Sequence, residues 1–192
     1  GGEPTLHPNL PEILATCRRP EIGRITMNSN GIRLAEDLDL CRRLADLGVY
    51  VILSMNTLDP EVSRRLHGRD LTAIKRQAIE NLAQAGVRMT LLSVLIRDEN
   101  ETSLGDLLEL IRQYDHILSL TVQTMTYTGQ GGGHFPRARH IPVDEAAQMV
   151  CRRSGGRRSW CGTSAAGAAP THRARPTRSP KRSRRSPRPG LG

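Results

Sequence analysis

The chain has 192 residues with 28 Lys+Arg against 19 Asp+Glu, a net charge of +9, and 37% hydrophobic and 3% aromatic content. That is enough for one ordinary domain core. It holds neither a signal-peptide pattern nor an apolar run of about 18 residues, so the expectation is a soluble cytoplasmic protein without a membrane span. The charge is unevenly distributed. Residues 1–150 carry 16 Lys+Arg and 19 Asp+Glu, a net −3, whereas residues 151–192 carry 12 basic residues and no acid.

Residues 1–150 read as repeated helix–strand units. Leu10, Ile13, Leu14 and Cys17 share one helical face, and a short strand follows at 24–28, closed by Asn28-Ser29-Asn30-Gly31. Leu34, Leu38, Cys41, Leu44 and Ala45 predict one helix ending at Gly48, before a nearly continuous apolar strand at 49–53. Asp59-Pro60 is a cap followed by a first-turn proline. It opens a short helix, then a longer one bearing Leu71, Ile74, Ala78, Ile79 and Leu82 and ending at Gly86. A strand at 87–95, a helix bearing Leu104, Leu107, Leu108 and Ile111, and a strand at 117–123 come next, and Asp144 is read as the cap of a last helix. Strands apolar on both faces that alternate with amphipathic helices imply a parallel sheet covered by helices. The expected class is α/β, an incomplete TIM-like barrel with its working residues at the strand C-termini. Polar clusters do follow each predicted strand, at 28–30, 54–56, 97–100 and 123–128.

The four cysteines, Cys17, Cys41, Cys151 and Cys161, include no two within four positions, so there is no compact zinc or iron–sulfur motif. Cys17 and Cys41 are expected to be small buried thiols on apolar helix faces. Residues 151–192 are mostly Arg, Ser, Pro, Gly and Ala, with a single aromatic residue, Trp160. Such a segment cannot bury enough surface to order itself. It reads as a disordered tail or as out-of-frame translation. The alternative is an arm that binds nucleic acid or another polyanion, but no recognition-helix, zinc-finger or RNA-binding signature accompanies it.

Gly1-Gly2-Glu3-Pro4 resembles the GGEP motif of radical S-adenosylmethionine (SAM) enzymes, where two glycines let backbone approach a ligand. The later segments resemble that family in order. Thr26-Met27-Asn28-Ser29-Asn30-Gly31 is similar to its third strand, with Ser29 in place of the usual Thr. Leu53-Ser54-Met55-Asn56 is similar to its fourth, with Asn56 replacing an acid. Arg97-Asp98-Glu99-Asn100 resembles the end of the fifth, and Gln123-Thr124-Met125 the sixth, which lines the adenine pocket. The stretch from Gln123 to Gly133 resembles members near the tetraether-lipid synthases and pterin methyltransferases. The resemblance implies a partial (β/α)6 barrel and two cofactors, SAM and a 4Fe–4S cluster. Cofactor contacts are expected at Gly1, Gly2, Glu3, Pro4, Asn28, Asn30, Ser54, Asn56, Arg97, Gln123 and Met125. It also implies an electron donor such as ferredoxin or flavodoxin and a substrate that the sequence does not identify. The family holds its cluster on a CxxxCxxC loop before the GGEP motif. The chain begins inside that motif without Met, so the expectation is an inactive fragment with no metal ligands of its own. His134 and His140 are expected to be loop residues without a chemical role. A Schiff-base aldolase is disfavoured, because the only lysine in residues 1–150, Lys75, falls on a helix.

Overall fold

The computed structural model describes residues 2–126 and 136–154, which belong to one compact unit. Gly1, the glycine-rich stretch with His134, and the basic residues from 155 on, with the polyanion-binding reading attached to them, lie outside the described residues. Strands β1 (Ile25–Ser29), β2 (Val49–Ser54), β3 (Met89–Leu95) and β4 (Ile117–Thr124) form a single parallel sheet in the order β1-β2-β3-β4. Parallel neighbours require crossovers, and crossovers share one hand. Steps that always go to the next strand in the same direction therefore place their helices on the same face. The result is an arc of a (β/α) barrel, the expected fold class.

Seven helices accompany the sheet among the described residues: α1 (Leu10–Thr16), α2 (Ile32–Glu36), α3 (Leu38–Asp46), α4 (Pro60–His67), α5 (Thr72–Gln84), α6 (Leu104–Gln113) and α7 (Val143–Arg153). None of the described helices is long and apolar enough to cross a membrane. The core joins Leu34, Cys41, Leu44, Ala78, Ile79, Leu82 and Leu107 from the helices to Met27, Val49, Val51, Leu53, Met89, Leu91 and Ile117 from the strands. Along β1, β2 and β3 these strand residues alternate. The other face carries Thr26, Asn28, Ile52, Ser54, Leu92 and Val94, which are half-buried or exposed, and Tyr50 and Thr90, which are buried with their hydroxyls hydrogen-bonded to each other. The helices cover one face, and the other carries the apolar Tyr50, Ile52, Leu92 and Val94, in keeping with the expected apolar strands.

Three local readings are corrected. The helix expected through Leu34 and Cys41 is two helices, because Asp37 leaves helical geometry (φ −129°, ψ 89°) and its carboxylate accepts the Leu40 N–H at 2.9 Å, capping α3. The apolar spacing runs across this break and hides it. Cys17 is exposed, because α1 stops at Thr16 and buries only Leu10 and Leu14. Cys41 is buried as expected, and burial, followed by the nearby Asp37 charge, pushes its thiol up to about 11. Asp144 does not cap α7. Pro142 occupies that position and Asp144 lies in the first turn, where its charge suits the helix dipole. Asp59 caps α4 as read, accepting the Glu61 and Val62 N–H groups.

Gly31 links β1 to α2 at φ +83°, and a Cβ built there would lie 2.5 Å from Leu53 Cδ1. Gly68, at φ +74°, faces open space. Gly31→Ala combines backbone strain with overpacking and is expected to cost about 2–4 kcal/mol, whereas Gly68→Ala, strained but uncrowded, is expected to cost about 1 kcal/mol. Urea unfolding of the two variants measures the difference.

Candidate functional site

The C-terminal ends of the four strands carry the polar residues singled out in the sequence. Glu3 precedes a single 3-10 turn, Pro4–Leu6, and its carboxylate is the junction between that turn and β1. Oε1 accepts from the Thr5 hydroxyl at 2.6 Å, the Thr5 N–H at 3.2 Å and the Ser29 hydroxyl at 2.8 Å, while Oε2 accepts the Asn30 N–H at 2.7 Å. Burial alone would raise this carboxyl, but the hydrogen bonds from Thr5, Asn30 and Ser29 outweigh it and hold it below the usual range. Oε1 is saturated, and Oε2 retains one acceptor position. Beside Gly2, a Cβ would meet nothing within 4 Å, so the loop opens onto free space.

The remaining candidates divide into committed and available side chains. Asn30 Oδ1 accepts the Ile32 N–H at 2.9 Å and so starts α2. Asn56 Oδ1 accepts the Val94 N–H at 2.9 Å, tying β2 to β3. Asn100, fully buried, reinforces that tie by donating to the carbonyls of Asn56 (3.0 Å) and Val94 (2.8 Å) and accepting the Ile96 N–H (2.8 Å). The Arg97 guanidinium pairs with both carboxylate oxygens of Glu145 on α7, at 3.0 and 2.6 Å. Asn28, Ser54 and Gln123, in contrast, make no side-chain hydrogen bond among the described residues. Asn28 pairs with Ile52, Ser54 with Leu92, and Gln123 with Val94, so all three lie on the sheet face turned away from the helices. Met125 is buried beyond β4, and its carbonyl is 3.0 Å from His140 Nδ1. His140 is thereby anchored at a strand end.

The sequence reading missed Lys75. It rises from α5 to hydrogen-bond the Ser54 carbonyl and is only 4% exposed. Burial drives its ammonium down to about 8, an effect partly offset by the Glu3 carboxylate, and its charge together with burial lowers His67. A signal was present: Lys75 stands on the apolar stripe Leu71, Ala78, Ile79, Leu82, where a cation is out of pattern. A separate cleft of about 480 Å³ lies between Thr5–Pro11 and the Arg33–Arg43 face of α2 and α3. It does not reach the strand-end residues, and we place no chemistry in it.

A sequence profile of the radical SAM superfamily matches residues 1–111, more than half the chain. The chain belongs to that superfamily. Among its relatives, GTP 3′,8-cyclase of Klebsiella pneumoniae is 31% identical over 163 residues, covering 83% of this chain and 46% of that enzyme. The 7,8-dihydro-6-hydroxymethylpterin dimethyltransferase of Methanocaldococcus jannaschii is 26% identical over 133 residues, covering 68% of this chain and 26% of the enzyme. The chain thus spans less than half the length of these relatives. The crystal structure of Streptococcus suis SuiB shares the fold, with a TM-score of 0.62 at 16% identity over 80% of this chain and 34% of SuiB. Radical SAM enzymes use SAM and a 4Fe–4S cluster. The residues present fit the first: an acceptor at Glu3, open backbone at Gly2, free amide and hydroxyl groups on the concave face and an apolar side chain at Met125. They do not fit the second. No two cysteines are closer than ten positions, and among the described residues no group of three His, Cys, Asp or Glu side chains is placed to hold a metal.

Asn100→Ala removes the side-chain partner of the buried Ile96 N–H and of the half-buried Asn56 and Val94 carbonyls, and is expected to destabilise the unit by about 3 kcal/mol. Thermal unfolding followed by circular dichroism checks this value.

Proposed function

We propose that this chain supplies the SAM-binding wall of a radical SAM enzyme, in which reductive cleavage of SAM at a 4Fe–4S cluster yields a 5′-deoxyadenosyl radical. The observation that carries this reading is that Asn28, Ser54 and Gln123 share one face at the C-terminal ends of β1, β2 and β4, Asn28 next to the strand end that holds Glu3, and that their side chains make no hydrogen bond among the described residues. In this reading the loop at Gly1, Gly2, Glu3 and Pro4 receives the amino group of SAM, with Glu3 Oε2 as acceptor. Ser54 and Asn28 bond the carboxylate and ribose, and Gln123 and Met125 flank the adenine. Asn30, Asn56 and Arg97 act indirectly, holding the loops that present these groups. In this reading the enzyme also takes a substrate and an electron donor of ferredoxin or flavodoxin type.

The cysteine spacing places the cluster ligands outside these residues, so the 192-residue chain is expected to bind SAM without cleaving it. Glu3→Gln removes the acceptor's charge and Ser54→Ala removes a hydroxyl. Each is expected to weaken SAM binding about tenfold by calorimetry, a loss of one charge-assisted hydrogen bond. Formation of 5′-deoxyadenosine by the chain after treatment with iron, sulfide and reductant would refute the expectation of no cleavage. Unchanged SAM affinity in both variants would refute the site.

A further inference from the structure

The carbonyl of Ser54 lies one residue past the end of the β1–β2 ladder. Met55 donates its N–H to the Leu92 carbonyl of β3 at 2.7 Å, and in a trans peptide the Ser54 carbonyl then points the opposite way, toward β1. There the last pair is Ser29 with Leu53, and the chain turns off at Gly31 into α2. One more ladder pair would bring the Gly31 N–H to this carbonyl, but that N–H donates to the Ser29 hydroxyl at 3.0 Å. α5 fills the place that β1 leaves. Ala78 lies 3.4 Å, and Leu53 2.5 Å, from where a Cβ on Gly31 would stand. Lys75, one turn before Ala78, donates to the Ser54 carbonyl. The same helix satisfies the end of α2, where Asn81 donates to the carbonyls of Leu34 at 2.9 Å and Ala35 at 3.0 Å. An amide does that work without desolvating a charge. Lys75, almost fully buried, does it with an ammonium.

The bond falls on the residue whose side chain stands on the concave face at the end of β2. A charge-assisted hydrogen bond is shorter and stronger than a neutral one, so it fixes the last peptide of that strand and with it the direction in which the Ser54 side chain leaves the backbone. We propose that Lys75 is a positioning residue, which acts from the helix side of the sheet through the Ser54 carbonyl and aims the Ser54 hydroxyl at SAM without touching the ligand itself. The proposal rests on the SAM-binding reading above and deepens it. A Leu or Met at position 75 would complete the apolar stripe of α5 and leave the end of β2 held on the β3 side alone. The lysine therefore costs the unit stability and gives one strand end a defined position.

Calorimetric SAM binding and urea unfolding of the 192-residue chain, of Lys75→Met, of Ser54→Ala and of the double variant test it. Lys75→Met is expected to bind SAM about fivefold more weakly than the wild type. Its urea midpoint is expected to be no lower, because a thioether is buried in place of a charge. A residue that merely supported the fold would lower both. In the Ser54→Ala chain the same substitution at Lys75 is expected to change affinity by less than about twofold, because its effect passes through the hydroxyl already removed. Three results would overturn the positioning role and leave the SAM-binding reading standing. They are an affinity of Lys75→Met within about twofold of wild type, an undiminished loss in the Ser54→Ala background, and a lowered urea midpoint. Failure of the wild-type chain to bind SAM would overturn both this proposal and the reading beneath it.

Discussion

A half-buried carboxylate must be satisfied, and the way Glu3 is satisfied organises the site. Four donors from three residues converge on it, two of them from the end of β1, so the loop carrying Gly2 and Glu3 is fastened to the sheet by side-chain chemistry. Ser29 relays the fastening by accepting the Gly31 N–H at 3.0 Å, at the left-handed turn where β1 passes into α2. Asn30 then opens α2. The loop, the strand end and the helix start are therefore one hydrogen-bonded unit. Loss of the Glu3 charge would be felt in the geometry of the loop as well as in its electrostatics.

Much of this was legible in the sequence because period and punctuation agreed. The strand at 49, the cap at Asp59-Pro60 and the terminal Gly86 are where apolar runs and turn chemistry put them, and the strand read from 87 begins at Met89. The failures have physical causes. Apolar spacing persists across Asp37, so the period gives no sign that the carboxylate has recruited the backbone and ended one helix to begin the next. Cys17 completes a helical face in sequence, but α1 is too short to reach it. The candidate residues do lie at the strand ends where the sequence put them. Their roles were not legible, because that depends on which backbone groups lack partners. Asn56 and Asn28 look alike in sequence, yet only Asn56 faces an N–H of the next strand that needs an acceptor. Lys75 was misread for the opposite reason. A lysine on a helix suggests solvent, and only its place on the apolar stripe indicated burial.

The sheet's one-sided cover explains why the polar residues divide as they do. On the helix face, alternate strand residues are closed off by leucine, isoleucine and alanine, and polar groups there must bond within the protein. Ser93, fully buried on that face, has a hydroxyl without a partner among the described residues and shows the cost of an exception. On the concave face, water satisfies Asn28 and Gln123 when nothing else does. A binding site built from such residues requires no internal polar group to be left unpaired in the free protein. A ligand there would replace water on exposed side chains, which would keep the desolvation cost of binding on a few groups.

The two sides of the strand-end mouth are held by different physics. On the β1–β2 side the fastenings are hydrogen bonds to backbone and a buried cation. On the β3–β4 side they are ion pairs, with Arg97 bridging to Glu145 on α7 and Glu99 gripped between Arg65 of α4 and Arg139 of the turn before α7. Those arginines are a third to a half exposed, so solvent screens them and each pair contributes little alone. The network, together with the Arg97 N–H donated to the Arg139 carbonyl, nevertheless sets where α7 rests. Salt weakens such a network and leaves the Glu3 fastening nearly untouched. The side that presents Gln123 and Met125 is therefore the adaptable wall of the mouth. The side that presents Glu3, Ser54 and Lys75 is the rigid one, because its fastenings are buried and little screened by salt.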